Sequence, residues 1–227
     1  MYSHFVPPVR RAIRRIAKVA TRGQRRPRVR LDNDARRAQL LLLARKAFSD
    51  RSYDEVSIDD LAREAKISKG LLYHYFPTKR DLYVAGLREI ADELVERVNA
   101  VPTNLPPAER VRAGLDAYLE HISHHARAYV SLMRGGIGSD PEVAAVIEGV
   151  RRRLSDRFLD GSPFKPMLAG NPKFESTLAG WIGFVEHATI DWCANPKLTR
   201  DELRDLLSQI LLAIMTAITP QLLRTSS

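Results

Sequence analysis

One cysteine, Cys193, stands in 227 residues. That excludes an intramolecular disulfide and any cysteine-rich zinc site. Long apolar runs are missing too: the nearest, ILLAIMTAI at 210–218, is about half of the ~18 residues that a membrane-spanning helix needs. The N-terminus lacks the apolar stretch and small-residue cleavage site of a secretory signal. Acid is missing from the first 31 residues, which carry ten Arg and Lys; from Asp32 onward 26 basic residues face 27 acidic ones. The net charge of +9 and pI near 9.9 therefore belong to an N-terminal extension on a nearly neutral body. A charge so placed calls for an acidic partner. An arginine-rich, acid-free start is also compatible with a mitochondrial transit peptide; otherwise the expected location is the cytoplasm.

What is present is helical periodicity. In the extension, Val9, Ile13, Ile16, Ala17 and Ala20 fall on one stripe with arginines around it, an amphipathic segment suited to DNA, anionic lipid or its own protein. Beyond Gly23 and Pro27 the pattern fails, and this part reads as a flexible arm. From Gln39 to Phe48 a first helix is predicted. Ser57 then caps a short second helix, with Asp60 in the S-x-x-D position. Lys66-Ile67 reads as a tight turn, Ser68 as the cap of a third helix through Tyr75, and Thr78 as the start of a fourth running to about Asn99. After PTNLPP at 102–107 come longer amphipathic segments, 108–125, 126–133, 141–159, 173–193 and 199–219, with a loop at 161–172. No strand pair and no internal repeat stands out, so an all-α fold in two regions is expected behind the extension at 1–31: a helix-turn-helix domain at 32–82 and a larger helical domain at 83–227.

The segment ISKGLLYHYFPTKRDL (67–82) mixes rings with cations in a way that neither a plain core helix nor a plain surface helix requires. Two short helices joined by a tight turn, behind a longer first helix, match a helix-turn-helix plan. Leu72 and Phe76, four apart, then pack inward. Ser68, Lys69 and Gly70 form the end that enters a major groove, where helix N-terminal N–H groups and a side-chain-free residue allow close approach. Tyr73 and Tyr75 point outward toward phosphates, and Lys79 neutralises another. Solvated charges beside core aromatics remain the bland alternative.

Residues 36–82, RRAQLLLLARKAFSDRSYDEVSIDDLAREAKISKGLLYHYFPTKRDL, resemble the N-terminal domain of the tetracycline-repressor (TetR) family. The resemblance implies a recognition helix at 68–75 with Lys69 and Leu71 facing bases, beside Ser68 and Gly70, and Tyr73, Tyr75 and Lys79 on phosphates. Ser57, His74 and Thr78 are expected to face phosphates as well. It also implies a homodimer on near-palindromic double-stranded DNA, a small-molecule effector and a repressor's role. Three departures are noted: Lys66 where a turn glycine is usual, Leu71 where threonine is frequent, and the negative Asp59 close to where DNA would lie.

In the larger region, the stripes of the last two long helices offer a dimer surface, with Trp181, Val185, Trp192, Leu203, Leu207, Ile210 and Ile214 as its expected members; a core role for the same residues stays open. Tyr118, Ile122, Met133, Phe158, Phe184 and His187 are the expected lining of a site for a mostly hydrophobic effector. His121, His124 and His125 lack the further ligands a metal site needs, GGIG at 135–138 lacks the context of a phosphate loop, and no nucleophile pattern is recognisable. No catalysis, cofactor, metal or obligate membrane association is expected. A DNA-organising protein without an effector and a membrane-surface protein acting through the basic tail remain rival readings.

Overall fold

The computed structural model describes residues 26–160 and 165–224; the amphipathic stripe expected at 9–20 lies outside them. Among the described residues every regular element is helical. The helices are α1 (Arg26–Asp50), α2 (Ile58–Glu64), α3 (Lys69–Tyr75), α4 (Lys79–Asn99), α5 (Pro107–His124) and α6 (Ala126–Arg134). A 3-10 turn at Gly136–Ser139 leads to α7 (Pro141–Leu159), a single-turn α8 (Lys165–Leu168), α9 (Pro172–Ala194) and α10 (Arg200–Arg224). The chain divides between Leu40 and Leu41 into two compact units.

In the first unit, α1 begins at Arg26, so residues 26–31 are helical where the sequence reading expected a flexible arm. Pro27 is no obstacle: in the first turn of a helix the missing N–H has no intrahelical partner to lose. In the same way the expected loop at 161–172 contains the short helix α8.

In the second unit the elements start where side-chain caps were expected. Ser57, Ser68 and Thr78 each accept a hydrogen bond from the backbone N–H three residues on, and Thr78 forms a full capping box with Asp81. The turn between α2 and α3 is closed by two backbone bonds, Ile67 N–H to the Ala62 carbonyl at 3.0 Å and Lys66 N–H to the Arg63 carbonyl at 3.1 Å. This is the Schellman arrangement, which puts the residue after the cap in the left-handed region. Here that residue is Lys66, at φ 55°, a conformation costing a non-glycine residue about 1 kcal/mol or more.

Ala44, Phe48, Leu61, Leu72, Phe76 and Leu82 are all buried, which places Leu72 and Phe76 on the inner side of the recognition segment. Phe48, Tyr83 and Tyr53 stack edge to face at 4.9 and 5.1 Å between centroids. Gly86 lets α4 lie against α1: a Cβ there would stand 3.4 Å from the Arg45 backbone nitrogen. Farther along, α4 packs on α5 and α7, while α10 packs on α5 and α9. Leu94, Leu115, Leu119, Val185, Leu203 and Leu207 form the centre of that larger core.

Candidate nucleic-acid interface and effector cavity

Helix α3, the expected recognition helix, is two turns long and presents a polar, open end. Gly70 has open space where a Cβ would be, with only the Ser68 hydroxyl at 4.0 Å. Lys69 and His74 are exposed, Leu71 and Tyr73 are exposed large side chains, and Tyr75 is half-buried beside His74. Ser57 and Thr78 are engaged as caps. Their helix N-termini supply backbone N–H groups and a positive dipole end, the usual partners of a phosphate.

Two of the cations are already placed. Lys79 Nζ sits 4.4 Å from the centroid of the Tyr53 ring; Tyr53 rests on Tyr83 and Tyr83 on Phe48. The lysine is thus aimed by an aromatic ladder rather than left to wander. Lys69 Nζ is 3.0 Å from Asp59 Oδ1, and that hydrogen bond raises its pKa. The acid that looked like an obstacle to DNA is a local counter-ion. Both groups are exposed, so the pair is weak, and a phosphate or a base edge can take the lysine from it.

The larger region is hollow. A cavity of about 200 Å³ lies among α4, α5, α6, α7 and α9. Apolar cavities of ~150 Å³ already admit a small ring. The expected Tyr118, Ile122, Met133 and Phe158 line it, joined by Leu87, Ile90, Leu94, Val146, Val150 and Leu154, which the sequence reading missed. The polar groups cluster. Tyr118 and Tyr129 hydroxyls meet at 2.8 Å, and burial holds the Tyr118 pKa well up. Arg151 is bidentate on Glu186, at 2.9 and 2.7 Å.

Along α9 the helical phase was read correctly but its direction was inverted. Trp181 and Val185, expected at a dimer surface, line the cavity, and Val185 belongs to the core. Phe184 and His187, expected in the cavity, face outward, Phe184 with 42% of its surface exposed. On α10 the expected dimer residues Leu203 and Leu207 are buried within the subunit. Trp192 is partly covered and donates its indole N–H to the Leu198 carbonyl at 2.8 Å, while Ile210 and Ile214 are half-buried. Among the described side chains, the large exposed apolar ones of these two helices are Phe184, Leu206 and Leu212, beside Gly180 and Gly183, whose Cβ positions are open.

His121 is buried, its ring 5.0 Å from that of His125. Desolvation, then the neighbouring His125, lowers its pKa to about 4, so it is a neutral core group. Among the described residues no cluster of His, Cys, Asp or Glu is arranged to hold a metal, and no helix is long and apolar enough to cross a membrane.

One connection was not foreseen. Asp140 caps α7 and also binds Arg80, in the first turn of α4, at 2.7 Å through Nη2 with a second bond through Nε. Glu142 adds a third contact at 3.1 Å. The bonds to Asp140 and Glu142 push the Arg80 pKa further up, and Arg80 in turn lowers that of Asp140. A signal was available: a cation in the first turn opposes the helix dipole, so it needs an acid from elsewhere.

The comparisons with known proteins agree with this geometry. The family model described as "Bacterial regulatory proteins, tetR family" matches residues 40–86, and "Tetracyclin repressor-like, C-terminal domain" matches 107–214. The transcriptional activator FasR of Mycolicibacterium smegmatis is 34% identical over 152 residues, covering 66% of this chain and 67% of that protein. The transcriptional repressor KstR2 of Mycobacterium tuberculosis is 34% identical over 93 residues, 40% of this chain and 46% of that protein. A tetR-family regulator from Streptomyces coelicolor superposes with a TM-score of 0.73 at 32% identity, covering 81% of this chain and 82% of that one. With the helix-turn-helix, the second helical region and these relatives in agreement, the chain belongs to the TetR family of DNA-binding transcriptional regulators.

Proposed function

We propose that the protein is a homodimeric repressor that is released from a near-palindromic operator when a small, mostly hydrophobic effector fills the cavity of the larger domain. In this reading residues 32–82 bind DNA and 83–227 bind the effector and the second subunit. Ser68–Leu71 face bases, while Ser57, Tyr73, His74, Tyr75, Thr78 and Lys79 face phosphates. The dimer surface is the outer face of α9 and α10 around Phe184, Leu206 and Leu212, which a second copy would cover.

The observation that carries the effector response is the path from the cavity to α4. Val146, Val150 and Leu154 of α7 wall the cavity; the N-cap of that helix, Asp140, holds Arg80, and the next residue back is Lys79. Leu87 and Ile90 of α4 wall it as well. With Tyr129 they also wall a smaller cavity of about 60 Å³ that reaches Phe48 and Tyr83. A ligand that spreads α4 from α7 would turn the start of α4 and move Lys79 and the recognition helix together. Only a ligand with different affinity for the two arrangements would shift their populations. The cavity disfavours a DNA-organising protein without an effector, which would gain nothing from a hollow core.

The test is selection of bound fragments from genomic DNA, followed by footprinting. The expected result is an inverted repeat with half-sites about one helical turn apart. Binding without sequence preference would overturn the reading.

A further inference from the structure

The reading of the cavity as an effector site leaves the chemistry of the effector open, and the charges around it narrow that chemistry. Three guanidiniums, Arg110, Arg151 and Arg157, line the cavity against one carboxylate, Glu186. Glu186 is spent on Arg151, in a bidentate pair. Arg110 and Arg157 have no carboxylate within ion-pair distance among the described residues. Among the described residues, Arg110 makes two long bonds, Nη1 to the Thr103 carbonyl at 3.3 Å and Nη2 to the Phe158 carbonyl at 3.5 Å. Among the same residues Arg157 uses Nη2, on the Val101 and Asn99 carbonyls. A guanidinium offers five N–H donors, so both forks keep donors to spare.

These contacts place the two arginines together. Each reaches toward the other's neighbours: Arg110 to Phe158, beside Arg157, and Arg157 to Val101, beside the loop that Arg110 touches. They therefore mark one end of the cavity. The other end is marked by Ile122, twelve residues beyond Arg110 on α5, which is about 18 Å along a helix axis. Between them the wall of α5 is Val111, Gly114, Leu115, Tyr118 and the neutral His121. The site is long, apolar and cationic at one end.

Capping of helix C-termini explains part of this, since Asn99 ends α4 and Phe158 lies in the last turn of α7. It does not explain why, among the described residues, these two half-buried guanidiniums at an apolar cavity have no ion-pair partner, when acids pair with Arg151 in the same cavity and with Arg80 and Arg204 elsewhere. Partly desolvated and unneutralised, they favour an anion that arrives with the ligand.

We propose that the effector is a single-tailed amphiphile with an anionic oxygen head, a carboxylate or a phosphate, which Arg110 and Arg157 bind while the tail lies between α4, α5 and α7. The proposal rests on the effector reading and fails separately from it. Binding of dodecanoate, dodecyl phosphate, dodecan-1-ol and dodecyltrimethylammonium to the full-length protein would be measured by calorimetry below their micelle-forming concentrations. One or both anions should bind about tenfold or more tightly than the alcohol, as charge-assisted bonds to a head group require, and the cation weakest. The two anions tell a carboxylate site from a phosphate site. In Arg110→Gln and Arg157→Gln the anion should lose far more affinity than the alcohol and so fall toward it. Equal binding of anions and alcohol by the wild type would overturn the anionic head and leave the hydrophobic cavity standing. That comparison needs no variant to fold. No binding of any probe would overturn both.

Discussion

Residues 57–82 and the helices from α4 to α9 are both amphipathic, yet they solve opposite problems. The first region is made rigid. Each of its helices starts on a hydroxyl cap, its turn is closed by two backbone bonds, and its cation Lys79 is aimed by stacked rings. The second region leaves space. Helices α5 and α6 begin without side-chain caps, although α7 and α9 have theirs in Asp140 and Asn171, and large side chains of α4, α5 and α7 line a cavity. A surface that reads a fixed partner gains from preorganisation; a chamber that responds to a ligand needs two arrangements close in free energy.

The sharpest way to break this contrast is on α10, where buried and outward leucines alternate. Leu207→Ala removes a fully buried side chain and should cost about 2–5 kcal/mol in chemical denaturation. Its neighbour Leu206→Ala should leave the fold intact and shift sedimentation toward monomer. If Leu206→Ala instead destabilised as much as Leu207→Ala, the proposed outer dimer face would be wrong.

Lowering the pH probes the hollow region next. His121 has a folded pKa of about 4 against an ordinary 6.5, so the unfolded state takes up the proton first. Its contribution is fully present above pH 6.5 and declines as the pH falls toward 4, by on the order of 3 kcal/mol. His121→Asn should flatten the fall of the melting temperature over that window, and an unchanged slope would contradict a buried neutral histidine.

On the recognition side, Lys79→Ala and Tyr73→Ala should weaken DNA binding about tenfold across sequences, whereas Lys69→Ala should change base preference. Asp59→Asn, which frees Lys69 from its local partner, should tighten binding by a few-fold; weaker binding would show that the acid orders the lysine rather than competing for it. The smallest expected effect is at the turn. Lys66→Gly relieves a left-handed lysine and should stabilise the protein by up to about 1 kcal/mol, with operator affinity unchanged.

The two regions also differed in how much their sequence disclosed. The helix-turn-helix was legible because its signals are local: a hydroxyl followed three residues later by Asp, a turn of fixed length, two inward residues four apart. The departure at Lys66 left open a left-handed lysine or another turn geometry, and the backbone there is left-handed. Along α9 and α10, periodicity separated the stripes but not what covers them. Trp181 and Val185 share one face and Phe184 and His187 another, and nothing local says which meets the subunit's own core. The cavity and the bond between Arg80 and Asp140, sixty residues apart, depend on tertiary placement and leave only the misfit of a cation in a first turn as a trace.

The central claim is that filling the cavity moves the recognition helices through α4. The direct measurement is operator affinity by fluorescence anisotropy, with and without a saturating cavity ligand, in the wild type and in Arg80→Ala. The account predicts that the ligand weakens wild-type binding about tenfold or more, in the range of ordinary coupling, and that Arg80→Ala still binds the ligand but responds less than about twofold. An operator affinity that the bound ligand leaves unchanged in the wild type, or an undiminished response in Arg80→Ala, would contradict it.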